Sequence, residues 1–138
     1  MMKIKFDINL MKTISLFENI TKASVKDCIE QGERLVFIVK QGEMAKAIGP
    51  KGKNIRKLEG MLKKKLKIVE YSDDLIEFVK NIVSPIKPAD IAEEEGIVTI
   101  TPADSTSRGL LIGRGAVNLR GFEDIIKRYF PIKEMKVV

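Results

Sequence analysis

An internal repeat restricts the fold of this chain more than any other feature. Ile48-Gly49-Pro50-Lys51-Gly52-Lys53-Asn54-Ile55 aligns with Ile112-Gly113-Arg114-Gly115-Ala116-Val117-Asn118-Leu119, an offset of 112 − 48 = 64 residues. Downstream, Leu66-Lys67-Ile68-Val69 matches Met135-Lys136-Val137-Val138 at an offset of 135 − 66 = 69, so the second copy carries five extra residues in its last helix or turn. Repetition at such a period marks copies of one supersecondary unit. A chain of 138 residues is then read as two very small domains, 1–71 and 72–138, with almost no linker.

Periodicity supplies the elements of each copy. In the first, Asp7 is a helix N-cap and Leu10, Ile14, Phe17 and Ile20 recur at helical spacing. Residues 24–30 and 34–40 read as strands of a hairpin turning at Gln31-Gly32-Glu33. A short helix at 43–48, the loop Gly49-Pro50-Lys51-Gly52, a helix with Ile55, Leu58, Leu62 and Leu66 on one face, and a strand at 66–71 complete it. The second copy repeats the order. Asp73 and Asp74 open a helix whose stripe is Leu75, Ile76, Val79 and Val83, and Ser84-Pro85 ends it. Strands at 87–92 and 97–101 flank an acidic turn, Glu93-Glu94-Glu95-Gly96. A helix at 105–112, the loop Gly113-Arg114-Gly115-Ala116, a helix bearing Leu119, Phe122, Ile126 and Tyr129, and a strand at 133–138 follow. Both copies read α-β-β-α-α-β.

Composition narrows the chemistry. An apolar share of 44% with 32% charged residues is that of a globular protein with a real core. No run reaches the roughly 18 apolar residues of a membrane span, and the start lacks a signal-peptide core, so the protein is expected to be cytoplasmic and to have no membrane partner. The chain has no histidine and one cysteine, Cys28, which sits in an apolar stretch and is read as a small hydrophobe. Most hydrolase and metal-site constellations are thereby excluded, and no enzyme activity and no cofactor are expected. The net charge of +6 favours a polyanionic partner, and its distribution is uneven. Residues 1–71 hold 16 Lys or Arg against 8 Asp or Glu, net +8, and residues 72–138 hold 9 against 11, net −2.

The order α-β-β-α-α-β with a Gly-x-x-Gly loop between its fourth and fifth elements resembles the type II KH domain. Two copies with almost no linker resemble the paired KH region of NusA-type transcription factors, and the chain as a whole looks like the NusA-like proteins of archaea. The resemblance is carried by Leu16 to Thr21, Asp27-Cys28-Ile29, Ala47-Ile48-Gly49 and Val69 to Asp74. It implies an α+β fold of two tandem type II KH domains, each a three-stranded sheet with helices packed on one face. In such domains the loop clamps the backbone of about four nucleotides of single-stranded RNA.

The residues suit that task. Paired glycines let the backbone turn with its N–H groups outward, and the loop opens a helix whose positive end attracts phosphate. Ile48, Gly49, Pro50, Lys51, Gly52, Lys53, Asn54 and Arg56 are the candidate RNA-binding residues of the first copy, and Gly113, Arg114, Gly115 and Arg120 those of the second. Lys51 and Lys53 are the expected cationic contacts. Ile38, Ile48, Ile55, Ile112 and Leu119 are candidates for an apolar base-binding groove, with ordinary core as the competing reading. The run Lys63-Lys64-Lys65, at the far end of its helix, divides evenly between a solvated face and a contact. A mononucleotide P-loop is excluded because two residues, not four, separate the glycines and no Ser or Thr follows Lys53. In the second loop Ala116 takes the second glycine's place, and its Cβ is expected to obstruct close approach and weaken that loop's part.

The resemblance implies a regulator of transcription elongation, pausing or termination acting on nascent RNA, with RNA polymerase or the transcription elongation complex as a further partner. Two other readings stay open at this level: a ribosome-associated or ribosome-assembly KH protein, and a protein-interaction module without RNA affinity.

Overall fold

A computed structural model describes residues 8–138. The chain divides into two compact units between Tyr71 and Ser72, each α+β with one three-stranded sheet. The Asp7 cap lies outside the described residues.

The first unit opens with α1 (Ile8–Thr21), which ends where Lys22 enters the left-handed region at φ 64°. Strands β1 (Val25–Gln31) and β2 (Arg34–Val39) form an antiparallel hairpin, with Gln31 opposite Arg34. Then come α2 (Met44–Ile48), a single 3-10 turn (Pro50–Gly52), α3 (Lys53–Leu62) and β3 (Lys65–Glu70), which lies parallel to β2. The core packs Phe17 of α1 against Phe37 of β2, rings stacked at 4.1 Å, with Ala47 and Leu58 fully buried beside them. Leu10, Ile14 and Ile20 pack onto this cluster, as helical spacing predicts. Cys28 is buried among these residues, and desolvation, then Asp27 and Glu30, push its thiol up to about 12, where it is inert.

The second unit repeats the order with α4 (Leu75–Val83), β4 (Asp90–Glu94), β5 (Ile97–Thr101), α5 (Ser105–Ile112), a 3-10 turn (Arg114–Ala116), α6 (Val117–Lys127) and β6 (Glu134–Val137). Its sheet runs β4-β5-β6, antiparallel then parallel, as in the first unit. Asp74 caps α4 by accepting the Glu77 N–H at 3.3 Å, and Asp104 caps α5 by accepting that of Ser107 at 2.7 Å. The five extra residues fall into place: α6 has 11 residues to the 10 of α3, and six residues (128–133) replace two (63–64) before the last strand.

Four boundaries differ from the periodicity. Leu66 belongs to β3, because Lys63 turns left-handed at φ 58° and ends α3. Tyr129 lies beyond α6, edge-on to Phe78 at 5.7 Å. The α4 stripe is Phe78, Val79, Ile82 and Val83, with Leu75 and Ile76 at its margin. Glu93 and Glu94 are strand, not turn. Glu94 pairs with Ile97, which leaves only Glu95 and Gly96 to turn the chain, both at positive φ, and β4 tolerates its acids because it is an exposed edge strand.

Candidate nucleic-acid interface

The two loops have one backbone. Gly49 (φ 75°, ψ 169°) matches Gly113 (75°, 172°), Lys51 (53°, 31°) matches Gly115 (62°, 24°), and Gly52 (71°, 19°) matches Ala116 (64°, 23°). Each loop therefore needs one glycine in an extended conformation at positive φ, which is essentially reserved for glycine, and then two successive left-handed residues. One member of each left-handed pair is glycine and the other is not. The missing second glycine does not cost the turn, because Ala116 takes the left-handed conformation itself and Gly115 bears the other half of it.

An asparagine staples each loop. Asn54 Nδ2 donates to the Lys46 carbonyl at 2.9 Å, and Asn118 Nδ2 donates to the Leu110 carbonyl at 2.8 Å, tying the helix after the loop to the helix before it. The first glycine leaves room for that amide. A Cβ on Gly49 would stand 2.8 Å from Asn54 Cγ, and one on Gly113 would stand 2.7 Å from Asn118 Cγ and 2.9 Å from its backbone nitrogen. Asn54 thus shapes the loop and spends an amide N–H on the Lys46 carbonyl.

Neither α3 nor α6 has a side-chain cap at its N-terminus; the Lys53 and Val117 N–H groups turn back onto the Pro50 and Arg114 carbonyls, and the positive dipole end of each helix faces its loop. Around the first loop Lys51, Lys53 and Lys57 are exposed, and none forms an ion pair with a described residue. The Arg56 guanidinium donates to the Lys51 carbonyl, which braces the left-handed residue and holds a second cation over the turn. This array gathers cationic side chains at the positive end of a helix, the chemistry that holds a phosphate.

The second loop departs in its side chains. Arg114 is exposed, but Val117 (63% exposed) stands where the first loop has Lys53, and Leu110 (54%) stands where it has Lys46. Arg120, the counterpart of Arg56, is turned along its own helix onto Glu123, with both carboxylate oxygens within 2.9 Å of Nη1. Burial alone would raise the Glu123 carboxyl, but the Met135 N–H, Arg120 and Lys127 outweigh it and hold the group below the usual carboxylate range.

That contact exposes a pair the sequence reasoning missed. Glu59 accepts the Leu66 N–H at 2.9 Å and Glu123 accepts the Met135 N–H at 2.8 Å, so each ties its helix to the strand that follows. The identity was present at the 64-residue offset. Of the groove candidates, Ile38 and Leu119 are buried, whereas Ile48, Ile55 and Ile112 are partly exposed beside their loops. Among the described residues no group of three or more His, Cys, Asp or Glu side chains is placed to hold a metal ion, and no helix is long and apolar enough to cross a membrane.

A KH domain family model matches residues 12–91, from within α1 through the first unit and on to β4. A curated protein of Methanococcus vannielii, "Probable transcription termination protein NusA", is 35% identical over 140 residues, covering 99% of this chain and 81% of its own length. The protein of the same name from Halococcus morrhuae is 30% identical over 138 residues, covering 99% of both. A solved structure, that of APE1850, superposes with a TM-score of 0.74 at 30% identity over 93% of this chain and 96% of the other.

Proposed function

This chain belongs to the KH-domain family, in the company of archaeal NusA proteins, and on that premise we propose that it binds single-stranded RNA with the first loop as its principal phosphate clamp. Each unit, 1–71 and 72–138, is on this reading one type II KH module, which agrees with the shared element order and the shared loop backbone. The observation that carries the reading is the first loop itself: two glycines, a helix N-terminus without a side-chain cap, and Lys51, Lys53 and Arg56 gathered about the turn. The contacting set is Ile48, Gly49, Pro50, Lys51, Gly52, Lys53 and Arg56, with Asn54 holding the turn in shape. In the second unit Gly113, Arg114 and Gly115 offer a weaker site, and Arg120 is withheld by Glu123.

The names of the relatives point to transcription termination, and we place this chain's RNA in that setting, as the nascent transcript of an elongation complex that includes RNA polymerase. The role is one of binding and positioning, without catalysis. Affinity for an unstructured RNA is expected to fall steeply with salt, each phosphate contact adding about 0.7 to the log-log slope. Duplex RNA of the same length is expected to bind more weakly, since the loop admits a single backbone whose bases are splayed. Equal affinity for duplex, or affinity indifferent to salt, contradicts the assignment.

A further inference from the structure

The second unit leaves open a place that the first unit closes. In the first, three residues (22–24) join α1 to β1, and Glu18, three places before the end of α1, accepts the Val25 N–H at 2.8 Å and ties the helix to the start of the strand. In the second, six residues (84–89) join α4 to β4, and Lys80 holds the corresponding place, three before the end of α4. A lysine has no acceptor to offer a strand N–H. A groove of about 650 Å³ lies between this helix and the start of its strand.

Part of its lining is aliphatic: Ile76 of α4, Ile86 and Pro88 of the connection, and Ile91 of β4, each partly buried. Ile91 stands opposite Ile100, which is fully buried, so it lies on the inward face of the sheet at its edge. Charged residues line the groove as well. Lys80, Lys87 and Asp90 are exposed there, and the side chain of none of them has a hydrogen bond or ion pair with a described residue. β4 is the outer strand of its sheet, with β5 on one side and no strand among the described residues on the other. Farther along it come Glu93 and Glu94, both exposed.

A groove beside an unpaired strand edge suits an extended polypeptide, whose main chain adds to the sheet while alternate side chains enter the pocket. The charges decide between this occupant and its rivals. RNA is uniformly anionic, so Lys80 and Lys87 would attract it while Asp90, Glu93 and Glu94 repel it. A second copy of β4 fares no better, because pairing two such edges brings the acids of both together. We propose that the groove and the free edge of β4 bind an extended segment of a partner protein, with acidic residues beside Lys80 and Lys87, an aliphatic side chain in the groove and basic residues beside Glu93 and Glu94. The same acids that select this segment keep the edge from pairing with unmatched strands.

The test titrates the isotope-labelled full chain with peptides of about seven residues, the length of an ordinary strand. One carries two aspartates, an isoleucine between threonines, and two lysines, and its two controls have the same frame with the four charged residues all aspartate or all lysine. The mixed peptide is expected to bind about tenfold more tightly than either control, a factor of roughly three for each exposed ion pair, and to slow amide exchange in β4. The variant Lys80→Glu/Lys87→Glu is expected to weaken it about tenfold, with thermal unfolding as the control for fold, both positions being exposed. Failure of the mixed peptide to bind, equal binding of all three peptides, or binding without slowed exchange in β4 overturns the proposal. A flatter salt slope for single-stranded RNA in the same variant also overturns it and assigns the groove to RNA. Loss of the RNA-binding reading itself would leave the peptide results, and this site, unaffected.

Discussion

The two loops share a backbone and differ in what they display. At Lys51-Gly52 the first spends its non-glycine left-handed residue on a lysine, whereas at Gly115-Ala116 the second places glycine where that lysine would be and lets alanine bear the left-handed turn. Two letters have been exchanged and the geometry survives. The chemistry does not: Lys53 has become Val117, Lys46 has become Leu110, and the arginine that braces the first loop pairs in the second with a buried glutamate. Loop shape and loop charge are therefore separate properties, and the second unit keeps the first while giving up most of the second.

If shape is common to both, each extended glycine is indispensable. Gly113→Ala is expected to destabilise the protein by about 3 kcal/mol, since it combines a conformation nearly closed to L-residues with a clash against Asn118, and Gly49→Ala by slightly less. Thermal or denaturant unfolding measures both, and a tolerated alanine at either position breaks the equivalence of the turns. A smaller effect separates the units. Glu123→Gln is expected to cost about 1.5 kcal/mol at neutral pH, because a buried carboxylate accepting from a backbone N–H and a guanidinium is replaced by a neutral amide.

The pH dependence has a definite sign. The folded Glu123 carboxyl titrates below its ordinary 4.5, so its contribution is complete above that value and is lost as pH falls through the lowered one. The gap between wild type and Glu123→Gln is then expected to close in acid, as followed by unfolding at a series of pH values. A gap that stays constant contradicts the role of the charge. The smallest effect sharpens the comparison most finely. Ala116→Gly should relieve left-handed strain at the expense of chain entropy, a net gain of about 0.5 kcal/mol, and leave RNA affinity where it was.

Much of this architecture was legible in the sequence. The offset of 64 residues and its change to 69 locate the loops and the longer second connection, because glycine turns and helical stripes leave regular marks. Less visible were properties set by pairing. Register decides that Glu93 and Glu94 extend an edge strand and that Arg34 meets Lys65, and neither composition nor periodicity by itself fixes which residues stand opposite one another. Asn54 and Asn118 were legible as conserved between the repeats, yet their amides turn inward onto carbonyls, a direction that requires the two helices to be in place first. The substitution at Ala116 leaves the turn in place for a physical reason: αL is disfavoured but open to alanine, so a missing glycine there need not mean a missing turn.

The most direct test of the account asks whether charge, on a common loop shape, decides which unit clamps RNA. Single-stranded RNA affinity of Lys51→Asp and Arg114→Asp would be measured at one salt concentration, with thermal unfolding as the control for fold. The account predicts a loss of about 1 to 3 kcal/mol for Lys51→Asp, whose exposed side chain contributes one phosphate contact beside Lys53 and Arg56, and a smaller loss for Arg114→Asp. A larger loss from Arg114→Asp, with both proteins folded, would contradict it and make the second loop the principal clamp.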